Sequence, residues 1–243
     1  MNLLRNLFSP TKIELFVRHC HFSEISQHKN RLPNFSRQKC HENLMATLDD
    51  RVHVTFLLDT FHPMEGLHFV RLQKKYPVIE IREGTEAGSF LQLLSLVQSR
   101  QFSDTTILYF LEDDYLHKPG WIDVLLEGFT LPGVSYVTLF DHRDKYDAYP
   151  DLQSKIFYTP SCHWRTTPST TNTYAMRAKT LKDHLSTHRA YSQERKISDD
   201  HEKFLTLSKM GAELISSLPG WATHVEAEYA SPCCDWKEFF KEN

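Results

Sequence analysis

The sequence predicts an α/β fold: a mostly parallel central sheet, Rossmann-like in its alternation, flanked by helices. Three observations predict it. Apolar runs of strand length alternate with stretches of helical period through the first half, as in parallel βαβ units. One run, TILYFL at 106–111, is apolar almost throughout, as a strand covered on both faces must be. The composition, 40% hydrophobic and 24% charged over 243 residues, is enough for one sizeable core. No repeat, low-complexity tract or shift in composition divides the chain. It reads as a single domain over 1–243 with two halves, about 12–130 and about 131–243.

The elements follow in order. KIELFV (12–17) reads as a first strand and VHVTFLLDT (52–60) as a second. Between them Ser36 is placed to cap a helix carrying Cys40, Leu44 and Leu48 on one side. Pro63 reads as the start of another helix, with Phe69, Leu72 and Tyr76 at helical spacing and an end before Pro77. VIEI (78–81) is a third strand. Thr85 then caps a helix whose Phe90, Leu93, Leu94 and Val97 form a core-facing stripe. After the fourth strand at 106–111, Pro119 suits a first helical turn, with Trp121, Val124, Leu125 and Phe129 inward. VSYVTLF (134–140) is a further strand, and 141–171 is polar, aromatic and broken by prolines, a long loop that suits a binding surface. NTYAMRA resumes as a strand before a helix with Leu181 and Leu185, and DDHEKFLTLSKM is a later helix with Phe204 and Leu207 inward.

A net charge of −3 gives no basic field of the kind that recruits nucleic acid. Five cysteines, with no C-x-x-C pair and an adjacent Cys233-Cys234, fit a reducing cytoplasm. The N-terminal apolar stretch is too short and too interrupted for a signal peptide or a membrane span. Leu3, Leu4, Leu7 and Phe8 could form an amphipathic turn on the inner face of a membrane, with packing on the domain as the plainer reading.

The chemistry concentrates where the fourth strand runs into Glu112, Asp113 and Asp114. In open α/β sheets ligands sit beyond the carboxyl ends of strands. Three crowded carboxylates need a compensating cation, and hard divalent ions such as Mn2+ or Mg2+ are the usual partners of oxygen ligands. The plainer alternative is a solvated strand cap. A second acidic pair, Asp199 and Asp200, opens the predicted helix near residue 200, where the helix dipole favours ionised carboxylates. Asp199 could instead cap that helix, with Glu202 completing a capping box. The phosphate-loop and G-x-G-x-x-G motifs are absent. Gly84 and Gly88 flank a helix start and could approach a nucleotide or simply make a turn. His184 and His188 stand one helical turn apart, but without the glutamate of H-E-x-x-H they read as a solvated face.

With a buried strand ending in Glu112-Asp113-Asp114, the chain resembles the GT-A glycosyltransferases, particularly family 2-like members, whose D-x-D motif follows a strand in this way. The resemblance implies that about 12–130 binds a nucleotide sugar and about 131–243 carries the acceptor and the catalytic base. It implies Asp114 as the principal metal ligand, Glu112 or Asp113 contacting donor sugar or ribose, and Asp59 as the nucleoside-side acid. It places the base in the Asp199-Asp200 pair, with Asp200 taking the proton of the acceptor hydroxyl. His224 matches the C-terminal histidine that closes the metal site in several such enzymes. His163, Trp164 and Arg165, in the long loop, are candidates for stacking on a sugar and pairing with an anion, with core or loop packing of Trp164 as the equal alternative. The implied activity is inverting, Mn2+- or Mg2+-dependent transfer of one sugar from a nucleotide diphosphate donor, UDP-linked by the resemblance, to a glycan or lipid-linked acceptor. The opening strand lacks the family's usual proline-threonine-asparagine continuation, and the Q-x-x-R-W motif of processive synthases is missing. Rival readings are a metal-dependent nucleotidyltransferase and a non-catalytic glycan-binding protein on the same fold.

Overall fold

The computed structural model describes residues 12–62, 66–149 and 151–240. The first half is a run of parallel units: β1 (Ile13–Cys20), α1 (Arg37–Ala46), β2 (Val52–Asp59), β3 (Val78–Ile81), α2 (Glu86–Ser99) and β4 (Ile107–Glu112). The second half adds β5 (Tyr115–His117), α3 (Trp121–Gly128), β6 (Val134–Thr138), α4 (Asp144–Asp147), β7 (Ile156–Tyr158), β8 (His163–Thr166) and β9 (Tyr174–Arg177). It closes with α5 (Ala178–Ala190), α6 (Asp200–Lys209), β10 (Glu213–Leu218) and β11 (Ala222–His224). One nine-stranded sheet runs through both halves in the order β3-β2-β1-β4-β9-β6-β10-β8-β7, and β11 and β5 form a separate two-stranded sheet. β3, β2, β1 and β4 are parallel, β9 is inserted antiparallel between β4 and β6, and β10 runs parallel to β6.

Alternation along β1, β2 and β4 divides the core into two faces. Leu15, Val17, Val54, Phe56 and Tyr109 pack toward Leu44 of α1 and Trp121 and Leu125 of α3. Phe16, Leu57, Leu108 and Phe110 pack toward Phe90, Leu93 and Leu94 of α2, Leu181 of α5 and Phe204 and Leu207 of α6. Each such side chain contributes about 1.5–3 kcal/mol on burial, which is why these strands can carry polar ends. Ser36 Oγ accepts the Lys39 N–H at 3.1 Å and Thr85 Oγ1 the Gly88 N–H at 3.0 Å, so both expected caps are in place.

Four expectations need correction. The helix expected to run from Pro63, which lies outside the described residues, through Leu72 to Tyr76 is reduced to one 3-10 turn at Phe69–Arg71, and Leu72 is exposed. Side chains compete there for the backbone. Gln73 bonds the Val70 and Tyr76 carbonyls and the Tyr76 N–H, and His68 accepts from the Val70 N–H. Residues 141–171 are not one long loop, because β7 and β8 form a hairpin that joins the sheet through β10. His188 does not face water: it is buried, bonded to the Tyr136 and Tyr174 hydroxyls. The helix after Pro119 starts two residues later, at Trp121, because Gly120 takes a left-handed conformation with φ 86°. The amphipathic turn expected at Leu3, Leu4, Leu7 and Phe8 lies outside the described residues. Among them, no helix is long and apolar enough to cross a membrane.

Candidate active site

Glu112 ends β4, and Asp113 and Asp114 turn the chain into β5. β5 pairs with β11 in a register that sets Tyr115 opposite His224. That register brings His224 Nε2 within 3.0 Å of Asp114 Oδ2, and the Val225 N–H donates to the Asp114 carbonyl at 3.1 Å. The segment before α1 then docks on the far side. Arg31 and Glu226 form an isolated antiparallel β-bridge, the Leu32 N–H reaches the Val225 carbonyl at 3.0 Å, and the Ala227 N–H reaches that of Asn30 at 2.8 Å.

The three carboxylates point in three directions, each to its own arginine. Glu112 Oε1 lies 3.3 Å from Arg18 Nη2. Asp113 Oδ1 accepts from Arg37 Nε at 3.0 Å, while its Oδ2 accepts the Cys20 N–H at 3.2 Å. Asp114 Oδ2 lies 2.9 Å from Arg31 Nη1. The cation that crowding demands is therefore supplied by the chain itself. Burial pushes the Asp114 carboxyl up, but His224 and Arg31 outweigh it and hold the group well below the usual carboxylate range.

Asp199 and Asp200 part company at the start of α6. Asp199 is the N-cap, accepting the Glu202 N–H at 3.2 Å. Its own N–H goes to the Tyr191 carbonyl at 2.9 Å, so the capping box with Glu202 does not form. Asp200 Oδ1 accepts from Lys203 Nζ at 2.8 Å. Lys203 is fully buried over the rings of Phe90 and Tyr174 and also donates to Asn172 Oδ1. Burial raises the Asp200 carboxyl to about 6, although Lys203 pulls the other way. A continuous polar relay joins this carboxylate to the end of β4. Asn172 Nδ2 donates to Glu86 Oε1 at 2.8 Å, Arg18 Nη1 donates to the same oxygen at 2.8 Å, and Arg18 Nη2 faces Glu112. Sequence reasoning missed Arg18, Glu86, Asn172 and Lys203. Two signals were available: a charged Arg18 inside the apolar run of β1, and a lysine three residues after Asp200 on one helix face.

The other expected residues are placed differently. Asp59 accepts the N–H groups of Phe61 at 2.9 Å and Gly84 at 2.8 Å, with that of Glu83 at 3.2 Å. It fastens the loop ahead of α2, and Gly84, at φ 69°, makes the turn. Trp164 is 0% exposed and donates to Thr159 Oγ1 at 2.9 Å, so its ring offers no face to a sugar. Arg165 is buried and bonded to Asp141 Oδ1 at 2.6 Å, which removes it from pairing with a ligand anion. His163 begins β8 on the surface. The exposed aromatic rings described in this half are instead Tyr158 at the end of β7, Tyr146, which stacks under Arg165, and Tyr229, which packs on His142. Tyr149 lies beside His201, the residue after Asp200.

Asp114 and His224 offer one oxygen and one imidazole nitrogen, donors that Mn2+ accepts. Among the described residues, however, no three His, Cys, Asp or Glu side chains gather in metal-holding geometry. The Asp114 oxygen nearest His224 is the one Arg31 covers. As placed, these residues do not fit a divalent ion held by the protein alone.

No protein-family model matches the chain, and no curated protein matches it. Solved structures do. S. aureus TarS superposes with a TM-score of 0.51 at 12% identity, over 84% of this chain and 35% of that one. The fold is GT-A-like. A structure of TarS 1–349 gives a TM-score of 0.49 at 11% identity, over 84% of this chain and 57% of that one. CMP:2-keto-3-deoxy-manno-octonic acid synthetase complexed with CTP gives 0.48 at 16%, over 86% and 92%. The chain thus spans about a third of the full TarS structure and just over half of the shorter one. In this GT-A-like frame the Arg18–Glu86–Asn172–Lys203 relay joins the carboxyl edge of β1 and β4 to the start of α6.

Proposed function

We propose that this chain is a glycosyltransferase that moves one sugar from a nucleotide diphosphate donor to a hydroxyl of a glycan or lipid-linked acceptor, with inversion. The observation that carries the reading is Asp200. It is a carboxylate at a helix N-terminus, raised to about 6, connected through a buried relay to the strand-end carboxylates where ligands of open α/β sheets collect. A base for an acceptor hydroxyl must be ionised at working pH yet still basic, and a value near 6 meets both demands. Asp200 accepts the acceptor proton, and Lys203 holds the carboxylate in place and ionised. The acceptor approaches over Tyr149 and Tyr146, whose rings suit the apolar side of a pyranose. Negative charge developing on the leaving diphosphate meets the field of Arg31 and Arg37 at the β4 corner.

Purified protein incubated with a panel of nucleotide sugars, with and without Mn2+, tests the reading. Thermal stabilisation and nucleoside diphosphate release should coincide for one donor. Pyrophosphate release from a nucleoside triphosphate would assign nucleotidyl transfer instead. Saturable glycan binding with no donor consumed would leave only a binding protein.

A further inference from the structure

The chain between β2 and β3 has two faces. On one, His68 and Val70 are buried and Phe69 and Tyr76 pack on the core. On the other, Leu67 and Leu72 are 57% and 65% exposed, and the exposed Lys74 and Lys75 follow. These leucines are held outward. The Phe69–Arg71 turn and the bonds of Gln73 to the Val70 carbonyl and to Tyr76 fix the segment, so the geometry that seats Val70 also presents Leu72. Ring contacts continue the face toward the end of β1. His21 meets His68 at 4.9 Å, and His62 meets both Phe61 at 5.0 Å and Phe22 at 5.4 Å, where Phe61 and Phe22 are themselves exposed. Glu24, exposed beside Phe22, bounds the patch on that side.

The rim is basic. β3 is the terminal strand of the large sheet, and the exposed Arg82 follows it. Over residues 66–82, Arg71, Lys74, Lys75 and Arg82 stand against one acid, Glu80, which Arg71 pairs at 2.7 Å. The whole chain carries −3, so this positive charge is local. An apolar centre with a basic rim fits a surface that is apolar within and anionic outside.

We propose that this face docks on an anionic lipid bilayer, with Leu67 and Leu72 entering the headgroup boundary and Lys74, Lys75 and Arg82 on lipid phosphates. Lysine stems lie along apolar surface while their ammonium groups stay at the phosphates, so leucine and lysine can share one face. A second copy of this chain fits less well, because a two-fold contact sets the same basic rim against itself. The inference goes beyond the transferase reading and does not rest on it, since no donor, acceptor or metal enters it.

Co-sedimentation of the intact chain with vesicles of phosphatidylcholine, alone or with about one-third phosphatidylglycerol, is the test. Binding should be at least about tenfold tighter to the anionic vesicles and should weaken as salt rises. Lys74→Gln with Lys75→Gln should weaken it about 30-fold, each lysine near an anionic surface being worth about fivefold. Leu67→Gln with Leu72→Gln should weaken it by about tenfold or more and leave the salt dependence in place. Lys179→Gln with Lys182→Gln, which removes the same charge from the exposed side of α5, should stay within about threefold of the unsubstituted chain. All six side chains are exposed, and circular dichroism checks that each variant is folded. Equal binding to neutral and anionic vesicles, or none to either, overturns the inference. So does binding that survives both patch variants, which leave the apolar stretch at Leu3, Leu4, Leu7 and Phe8 intact. A lipid-free dimer in analytical ultracentrifugation that the leucine pair dissolves would assign the face to a second copy and overturn it as well.

Discussion

At the end of β4, Asp114 lies 3.0 Å from His224 and 2.9 Å from Arg31, whereas at the start of α6, Asp200 has Lys203 at 2.8 Å and a setting of buried aromatic rings around that lysine. The same side chain is pushed in opposite directions. Asp114 is held ionised far below the usual range, and Asp200 is raised to about 6. Carboxylates driven apart in this way divide the labour at a site, one as fixed charge and one as proton acceptor. What separates them is the number of cationic partners set against the same cost of burial.

Removing the proposed base tests that division most severely. Asp200→Asn should lower transfer by about 100- to 10,000-fold while leaving donor affinity within the error of a binding titration. Single-turnover release of nucleoside diphosphate beside isothermal titration separates the two. Next in size is the relay between the corners. Glu86→Gln replaces an acceptor that receives Arg18, Asn172 and the Ser198 N–H, and should cost about 2 to 3 kcal/mol in urea unfolding at pH 7. Burial raises the Glu86 carboxyl, but Arg18 and the Ser198 N–H pull it below its ordinary value. Its contribution is therefore complete above the unfolded value, about 4.3, and is lost as pH falls through the lower folded value. The gap between Glu86→Gln and the unsubstituted chain should close in acid.

The proposed base sets the expected pH dependence. With Asp200 at about 6, kcat/KM should rise as pH rises through that value, because only the ionised carboxylate accepts a proton. Lys203→Met removes the group that opposes the burial effect and should move this limb upward by about one unit. A limb that stays in place would mean that Asp200 is not the titrating base.

Much of this architecture was legible from the chain alone, for local reasons. The caps at Ser36 and Thr85, the α2 stripe and the uniform β4 depend on residues within a few positions of one another. The carboxylate edge was legible too, because an acidic turn after a buried strand is visible in one dimension. What stayed hidden was partnership at a distance. Arg18 meets Glu112 across 94 residues and Arg37 meets Asp113 across 76, and nothing local selects those pairs. Without them, three neighbouring acids could only suggest an external cation. Similarly, YAMR at β9 has the apolar look of a parallel strand, and only its place between β4 and β6 makes it antiparallel. Trp164 reads as a ligand platform in a proline-broken stretch until β8 pairs with β10 and turns the ring inward.

The smallest expected effect sharpens the contrast within the acidic pair itself. Asp199 serves α6 by accepting the Glu202 N–H, and Arg195 approaches it only at 3.4 Å. Asp199→Ala should therefore lose about 1 kcal/mol of stability, as caps generally do. Asparagine is as good a cap as aspartate, so Asp199→Asn should recover most of that loss in the same thermal or urea measurement. The pH limb near 6 should stay where it is in both variants, because it belongs to the neighbour one residue on. A limb that moved with Asp199→Asn would assign the proton to the pair jointly and dissolve the separation of cap from base.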